Sequence, residues 1–341
     1  MSSAAPIDLR SDTVTRPDAE MRAAMAAAEV GDDVLDGDPT MRALEERAAE
    51  RLGVEASLWV PSGSMGNLVA LFLHLQRGDR FFASQQAHVL DSEIGTAAWL
   101  AGGMPQPLPW AAGPGRITAQ AIRAAASGRG PYFALRNRLL CLENTHNTAG
   151  GTTTSPREHA ELVSAARETG LLVHLDGARI WNAAVAQKTT PAELTRGVDT
   201  VQACLSKGLG APVGSVVGGS ADFVREARRV RKMLGGGVRQ GGVLAAAGLV
   251  ALERVDRLAE DHENAELLAG GLRELGWDVA VPETNIVMVH VPDAAKAVEE
   301  CGRAGVLALS LGGRLRLITH CDVSRADVRR ALDRIAAVAR R

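Results

Sequence analysis

The chain has 341 residues, 46% of them hydrophobic and 23% charged, which is the composition of a globular protein with ample length for a large core. A net charge of -2 offers no electrostatic footing for nucleic acid or an anionic membrane. The four cysteines (Cys141, Cys204, Cys301 and Cys321) show neither CxxC nor metal-ligand spacing, so no metal centre is expected from them.

The opening MSSAAPIDLRSD lacks the basic-then-apolar run of a signal peptide, and a cytoplasmic location is expected. Asp18 to Ala28 and Met41 to Leu52 read as helices, the second after the turn signal Gly37-Asp38-Pro39. Ser57 to Val60 reads as a strand, and Ser62-Gly63-Ser64 then opens a helix running to about Gln76. Arg80 to Ala83 reads as a strand and Asp91 to Ala101 as a helix. Arg138 to Glu143 is a strand, and Pro156 to Thr169 a helix with Glu158, His159 and Glu161 on its polar side. Leu171 to Leu175, Thr200 to Leu205 and Val213 to Val217 follow as strands. This alternation predicts an α/β fold with parallel strands joined by right-handed crossovers and helices on both faces. The apolar run Val243 to Leu252 is about half of the roughly 20 residues a membrane span needs, so it reads as a buried helix. Near Arg254 the texture changes. A long charged helix, Leu249 to Leu275, leads into short strands at Trp277 to Ala280 and Ile286 to His290. A helix (Ala294 to Ala304), a strand (Leu315 to Thr319) and a closing helix from Arg325 complete a smaller α+β unit. The expected division is a large α/β domain over 1-253 and a small C-terminal α+β domain over 254-341.

Several constellations suit chemistry. Lys207, in Ser206-Lys207-Gly208 just past an apolar strand, is placed to form an imine with an aldehyde cofactor; a solvated loop lysine is the plainer alternative. Asp176 ends a strand one strand–helix–strand unit before Lys207, where open α/β sheets bind ligands, and could pair with a protonated pyridine nitrogen or simply cap the next helix. Ser62 to Asn67 lies between strand and helix and could offer free N–H groups to a single phosphate, lacking both the P-loop lysine and GxGxxG. His88 could stack on a planar cofactor or shuttle a proton. Arg316, in a strand of the smaller unit, could grip a substrate carboxylate bidentately. The basic run Arg225 to Lys232 ahead of Gly235-Gly236-Gly237 is a solvated helix or the approach to a ligand-contacting loop.

The sequence resembles the L-threonine aldolase family, in the aromatic amino acid β-eliminating lyase group of pyridoxal phosphate (PLP) enzymes. The resemblance runs over nearly the whole chain through IDLRSDTVTRP (7-17), GDDVLDGDPT (31-40), WVPSGSMGNLVAL (59-71), LENTHNTAGG (142-151), VHLDGARIWNAA (173-184), CLSKGLGAPVGSVV (204-217), RKMLGGGVRQGGVLAAAGLVAL (231-252) and RLITHCDVS (316-324). It implies the aspartate aminotransferase-like fold (fold type I) and retro-aldol Cα–Cβ cleavage of L-threonine, L-allo-threonine and related β-hydroxy-α-amino acids to glycine and an aldehyde. A β-eliminating lyase, racemase or transaminase acting on a small amino acid is the alternative. By the same resemblance Lys207 carries PLP, Asp176 meets its ring nitrogen, and Gly63, Ser64 and Met65 cup its phosphate. His88 stacks on the ring and is a candidate base. Ser11, Arg179 and Arg316 match groups that hold the substrate carboxylate or the cofactor. A homotetramer, a dimer of dimers with sites near subunit interfaces, is implied, with Arg231, Lys232 and Arg239 in a segment reaching the interface. The sequence departs from the family pattern at Leu35, Asp36-Gly37, Ser92 and Phe133.

Overall fold

The computed structural model describes residues 5-35, 37-128 and 131-339. The strands, in chain order, are β1 (Ile7–Asp8), β2 (Ala56–Val60), β3 (Arg80–Ser84), β4 (Met104–Leu108), β5 (Asn137–Glu143), β6 (Leu172–Gly177), β7 (Thr200–Cys204), β8 (Ser215–Gly219), β9 (Asp278–Val279), β10 (Ile286–His290), β11 (Val306–Leu307), β12 (Leu309–Leu311) and β13 (Arg314–Ile318). Seven of them form one sheet in the order β2-β8-β7-β6-β5-β3-β4. Its central strands are buried on both faces, so they read as continuous apolar runs such as Leu139–Leu142. Parallel pairing holds from β4 across to β7, whereas β8 runs antiparallel to both β7 and β2. The expectation of parallel strands joined by crossovers therefore fails at Val213 to Val217. Only a short loop separates β7 from β8, too short for the dozen or more residues a parallel crossover needs.

Local chemistry sets the helix ends. Asp38 caps the helix Pro39–Leu52 by accepting from the Met41 N–H, proline sits at its first turn, and Gly53 closes it at φ 63. Ser155 and Glu158 form a reciprocal capping box at Pro156–Glu168. His159 on that helix is buried rather than on the polar side, with its ring nitrogen against the Arg196 carbonyl. Two expected helices are broken. Asp91 to Ala101 is two short pieces, His88–Asp91 and Thr96–Trp99, separated by Ile94 and Gly95 in the left-handed region. Leu249 to Leu275 divides into Gly242–Leu252, a 3-10 turn at Val255–Arg257, and Leu258–Glu274.

The smaller unit is an antiparallel sheet, β12-β13-β10-β9, backed by Leu258–Glu274, Ala294–Arg303 and Arg325–Ala339. The N-terminal segment joins it, because β1 pairs in parallel with β11 and Ile7 and Leu9 pack into the same apolar cluster as Leu268, Leu315 and Val328. The chain then crosses back to the large sheet. Thr15 Oγ1 donates to the Lys207 carbonyl, and the Arg16 N–H donates to Asp322.

Candidate active site

The carboxyl ends of β2, β3, β5, β6 and β7 lie along one edge of the large sheet, the edge at which open α/β sheets bind ligands. Each strand delivers side chains there. Gly63 and Ser64 follow β2, His88 follows β3, Asn147 follows β5, Asp176 ends β6 with Arg179 just after it, and Lys207 follows β7. Two cavities, about 310 and 170 Å³, open at this edge and share His88, Asp176, Ala178, Lys207 and Thr13. The larger extends to Ser62, Gly63 and Ser64, the smaller to Ser11, Asn147, Arg179 and Arg316.

Asp176 is buried and held from several sides. Its Oδ2 accepts from Asn67 Nδ2 at 2.7 Å and its Oδ1 from the Ala178 N–H at 3.0 Å. Gln202, with the amide orientation that satisfies its neighbours, donates to Oδ1 at 3.1 Å. Lys207 sits on a loop pinned by its own carbonyl, which accepts from Gly210 N–H and Thr15 Oγ1. His88 Nδ1 lies 2.9 Å from Glu93 Oε1, and its backbone N–H donates to Glu143 Oε2. Burial works against a charged His88 ring, but the Glu93 hydrogen bond and the charges of Asp176 and Glu93 outweigh it and hold the pKa above its ordinary value.

The phosphate-cup residues divide. Gly63 and Ser64 line the larger cavity at the N-terminus of the helix Gly63–His74. A Cβ on Gly63 would lie 2.8 Å from Cys204 Sγ, so only glycine lets this helix seat so close to β7. Met65 is not in the cavity wall. Its N–H is spent on Ser62 Oγ, and its sulfur packs beneath Gly236. Of the three residues expected to hold a phosphate, Gly63 and Ser64 thus reach the cavity, joined by Ser62.

The two arginines also differ. Arg179 is buried with its fork already committed, as Nε and Nη2 donate to Asp12 at 2.8 and 2.7 Å. Burial opposes the Asp12 charge, but the Arg179 guanidinium overrides it and holds the carboxyl well below the usual range. Arg316 is 8% exposed, and among the described residues no carboxylate pairs with it. Its Nη1 donates to Asn147 Oδ1, its Nη2 reaches the Arg10 carbonyl at 3.5 Å, and its Nε has no partner. Burial, with the neighbouring Arg179 charge, pushes its pKa down to about 10. A buried cation short of an anion and open to a cavity suits a carboxylate. Thr145 Oγ1 is a second unpartnered buried atom in the same wall. Two cavities that meet at Lys207, Asp176 and His88, one with a guanidinium short of an anion and the other with a helix N-terminus, fit pyridoxal phosphate.

A family model described as beta-eliminating lyase matches residues 8–294. The chain belongs to the beta-eliminating lyase family. It is 46% identical over 325 residues to the low specificity L-threonine aldolase of Escherichia coli K12, covering 94% of this chain and 96% of that one. It is 42% identical to low-specificity L-threonine aldolase 1 of Arabidopsis thaliana, covering 94% and 93% of the two chains. Among solved structures, Leishmania major threonine aldolase aligns with a TM-score of 0.83 at 19% identity over 98% of this chain and 100% of that one. Sphingomonas wittichii serine palmitoyltransferase aligns at 0.77 with 20% identity over 98% and 87%. These structural likenesses establish the fold, the large mostly parallel sheet with a small C-terminal α+β unit.

Sequence reasoning missed several residues of this beta-eliminating lyase site. Asn147 bridges the two guanidiniums, accepting at 3.1 Å from each. Asp12, Asn67 and Asn147 all stand inside recognised motifs, and a search for the partners of Arg179, Asp176 and Arg316 would have reached them. Glu93 carried no such signal, because it falls inside what reads as an ordinary helix. Of the departures from the family pattern, Leu35 and Phe133 are exposed, while Asp36 lies outside the described residues.

Proposed function

We propose that this chain is a pyridoxal phosphate-dependent aldolase that cleaves L-threonine, L-allo-threonine and related β-hydroxy-α-amino acids to glycine and an aldehyde. The observation that carries the reading is Arg316, a buried guanidinium without a carboxylate, facing the cavity that Lys207 and Asp176 share with the phosphate cup.

Lys207 would hold the cofactor covalently through Nζ, the Gly63 and Ser64 N–H groups its phosphate, Asp176 its ring nitrogen and His88 one face of its ring. When bound, the cofactor supplies an electron sink for the pair released from the Cα–Cβ bond. Arg316 receives the substrate carboxylate, with Ser11 beside it and Asn147 holding the guanidinium in plane. Arg179 acts from behind, its charge cancelled by Asp12 while its Nη1 braces Asn147. His88 Nε2, the ring nitrogen not engaged by Glu93, accepts the β-hydroxyl proton. Relatives named L-threonine aldolase at over 40% identity support the same substrate class.

The division into domains 1-253 and 254-341, a homotetrameric dimer of dimers and a cytoplasmic, glycine-forming role belong to the same proposal. Among the described residues no helix is long and apolar enough to cross a membrane.

The test is product analysis with pyridoxal phosphate and L-threonine, L-allo-threonine, D-threonine and phenylserine in turn. Acetaldehyde and glycine from the L-threonines are expected. Ammonia and a 2-oxo acid without aldehyde would replace the reading by β-elimination. Lys207→Ala should abolish both the cofactor's near-visible absorbance and the cleavage, and wild-type turnover in that variant would remove Lys207 from its assigned role.

A further inference from the structure

We propose that Glu93 is the positioning residue of His88: its carboxylate accepts a hydrogen bond from Nδ1–H, fixes the ring's tautomer and tilt, and leaves Nε2 as the nitrogen presented to the cavity beside Lys207. The inference deepens the role given to His88 above and rests on that reading.

The backbone is bent to achieve this contact. The helix expected over 91-101 stops at Asp91, and directly after Glu93 the chain turns, with Ile94 at φ 56 and Gly95 at φ 69. A β-branched residue in the left-handed region is strained and persists only where its surroundings enforce it. The same turn leaves Ile94 92% exposed and carries Glu93 into the interior. The local sequence therefore gives up both helix continuity and apolar burial at the point where Glu93 meets the ring.

The interior is arranged to receive that carboxylate. Asn67 Nδ2 donates to Glu93 Oε1 at 2.8 Å and to Asp176 Oδ2 at 2.7 Å, so both amide hydrogens bridge two buried acids that would otherwise repel. Its Oδ1 must then accept from His174 Nε2 at 3.0 Å, which leaves His174 Nδ1 to accept from Thr200 Oγ1 at 2.9 Å. Burial holds His174 neutral, its pKa down at about 4, so this chain of donors runs in one direction and anchors the amide. Burial pushes the Glu93 carboxyl upward and Asp176 adds to the effect, while the His88 and Asn67 hydrogen bonds pull it back. The charged groups facing His88 are Glu93, Asp176 and Lys207, with Glu143 on its backbone N–H. Of these, Glu93 is the one that hydrogen-bonds the ring.

The experiment uses the full-length protein labelled with [15N]histidine, with and without pyridoxal phosphate, the His88→Asn spectrum assigning one ring among eight histidines. Wild-type His88, once neutral, should carry its proton on Nδ1. In Glu93→Gln the ring's titration midpoint should fall by about one unit or more. Glu93→Ala should move the neutral ring toward the Nε2–H tautomer, and Glu93→Asp should restore part of both properties. In the loaded enzyme the acidic limb of the kcat/KM profile should move with the ring, while KM changes less than kcat. A ring whose midpoint and tautomer are unchanged in folded Glu93→Gln and Glu93→Ala overturns the proposal. If the ring responds as described but wild type cleaves no β-hydroxy-amino acid, the positioning stands and the aldolase reading fails.

Discussion

Arg179 and Arg316 sit side by side against Asn147, yet their electrostatics are opposite. Arg179 has a buried bidentate carboxylate, while Arg316 has only carbonyl oxygens. In the proposed function the anion missing from Arg316 is the substrate's carboxylate. Lysine keeps the charge but loses the two-point fork. Arg316→Lys should therefore raise KM by about tenfold or more, the value of one strong directional bond, with a smaller effect on kcat. Steady-state kinetics with L-threonine checks this, and an unchanged KM would place the carboxylate elsewhere. At this scale the sequence made legible the residues to which the proposed function gives the chemistry, namely Lys207, Asp176, His88 and Arg316, all of which line the two cavities. It was silent on those that act through them. Asp12 and Glu93 are indistinguishable in one dimension from surface acids, and their burial follows from partners 167 residues away for Asp12 and from a broken helix for Glu93.

Between elements, the 3-10 turn Val255–Arg257 that leads into the helix Leu258–Glu274 reaches the lysine loop through a partly buried contact. Arg257 Nη2 donates to the Gly208 carbonyl at 3.1 Å and also to Asp261, whose side chain is 1% exposed. Burial raises the Asp261 carboxyl to about 6 from the ordinary 3.8, more than the Arg257 charge can offset. A raised folded-state pKa means that this group's stabilisation is full below about pH 3.8 and is lost as pH rises through about 6. The swing is at most about 3 kcal/mol. Asp261→Asn should remove it, so the melting temperature of the variant relative to wild type should climb from about pH 4.5 to about pH 7. A difference independent of pH would show that Asp261 is ionised throughout. Element by element, the strands and most helices were legible because apolar periodicity and capping residues are local. The split at Glu253 and Arg254 was not, since the charged residues on either side continue a helical pattern and only packing against the lysine loop ends it. The reversed β8 was hidden for the reason given by its neighbours: a strand buried on both faces carries no mark of its direction.

Across the whole molecule, the N-terminal segment is a strap. It begins as β1 on the smaller unit, supplies Ser11 and Asp12 to the site, and ends against the Lys207 loop. Leu9 is fully buried in the smaller unit's core. Leu9→Ala should cost about 2–5 kcal/mol, and by loosening the strap should also weaken the Asp12–Arg179 pair. Thermal denaturation gives the first quantity, and a rise in KM relative to an equally destabilising substitution remote from the strap gives the second. Equal KM values would confine Leu9 to packing.

The far edge of the large sheet has a different consequence. The Met104 N–H faces β3 through its bond to the Asp79 carbonyl, so by alternation Pro105 and Pro107 point to the open side of β4. Neither has a hydrogen to donate, which is also why Met104 to Leu108 did not read as a strand. The rim lacks two of the donors another chain's backbone would pair with, which opposes the runaway edge-to-edge growth that ends in aggregates. A second copy therefore finds in β4 a poor seam for lengthening the sheet on this side.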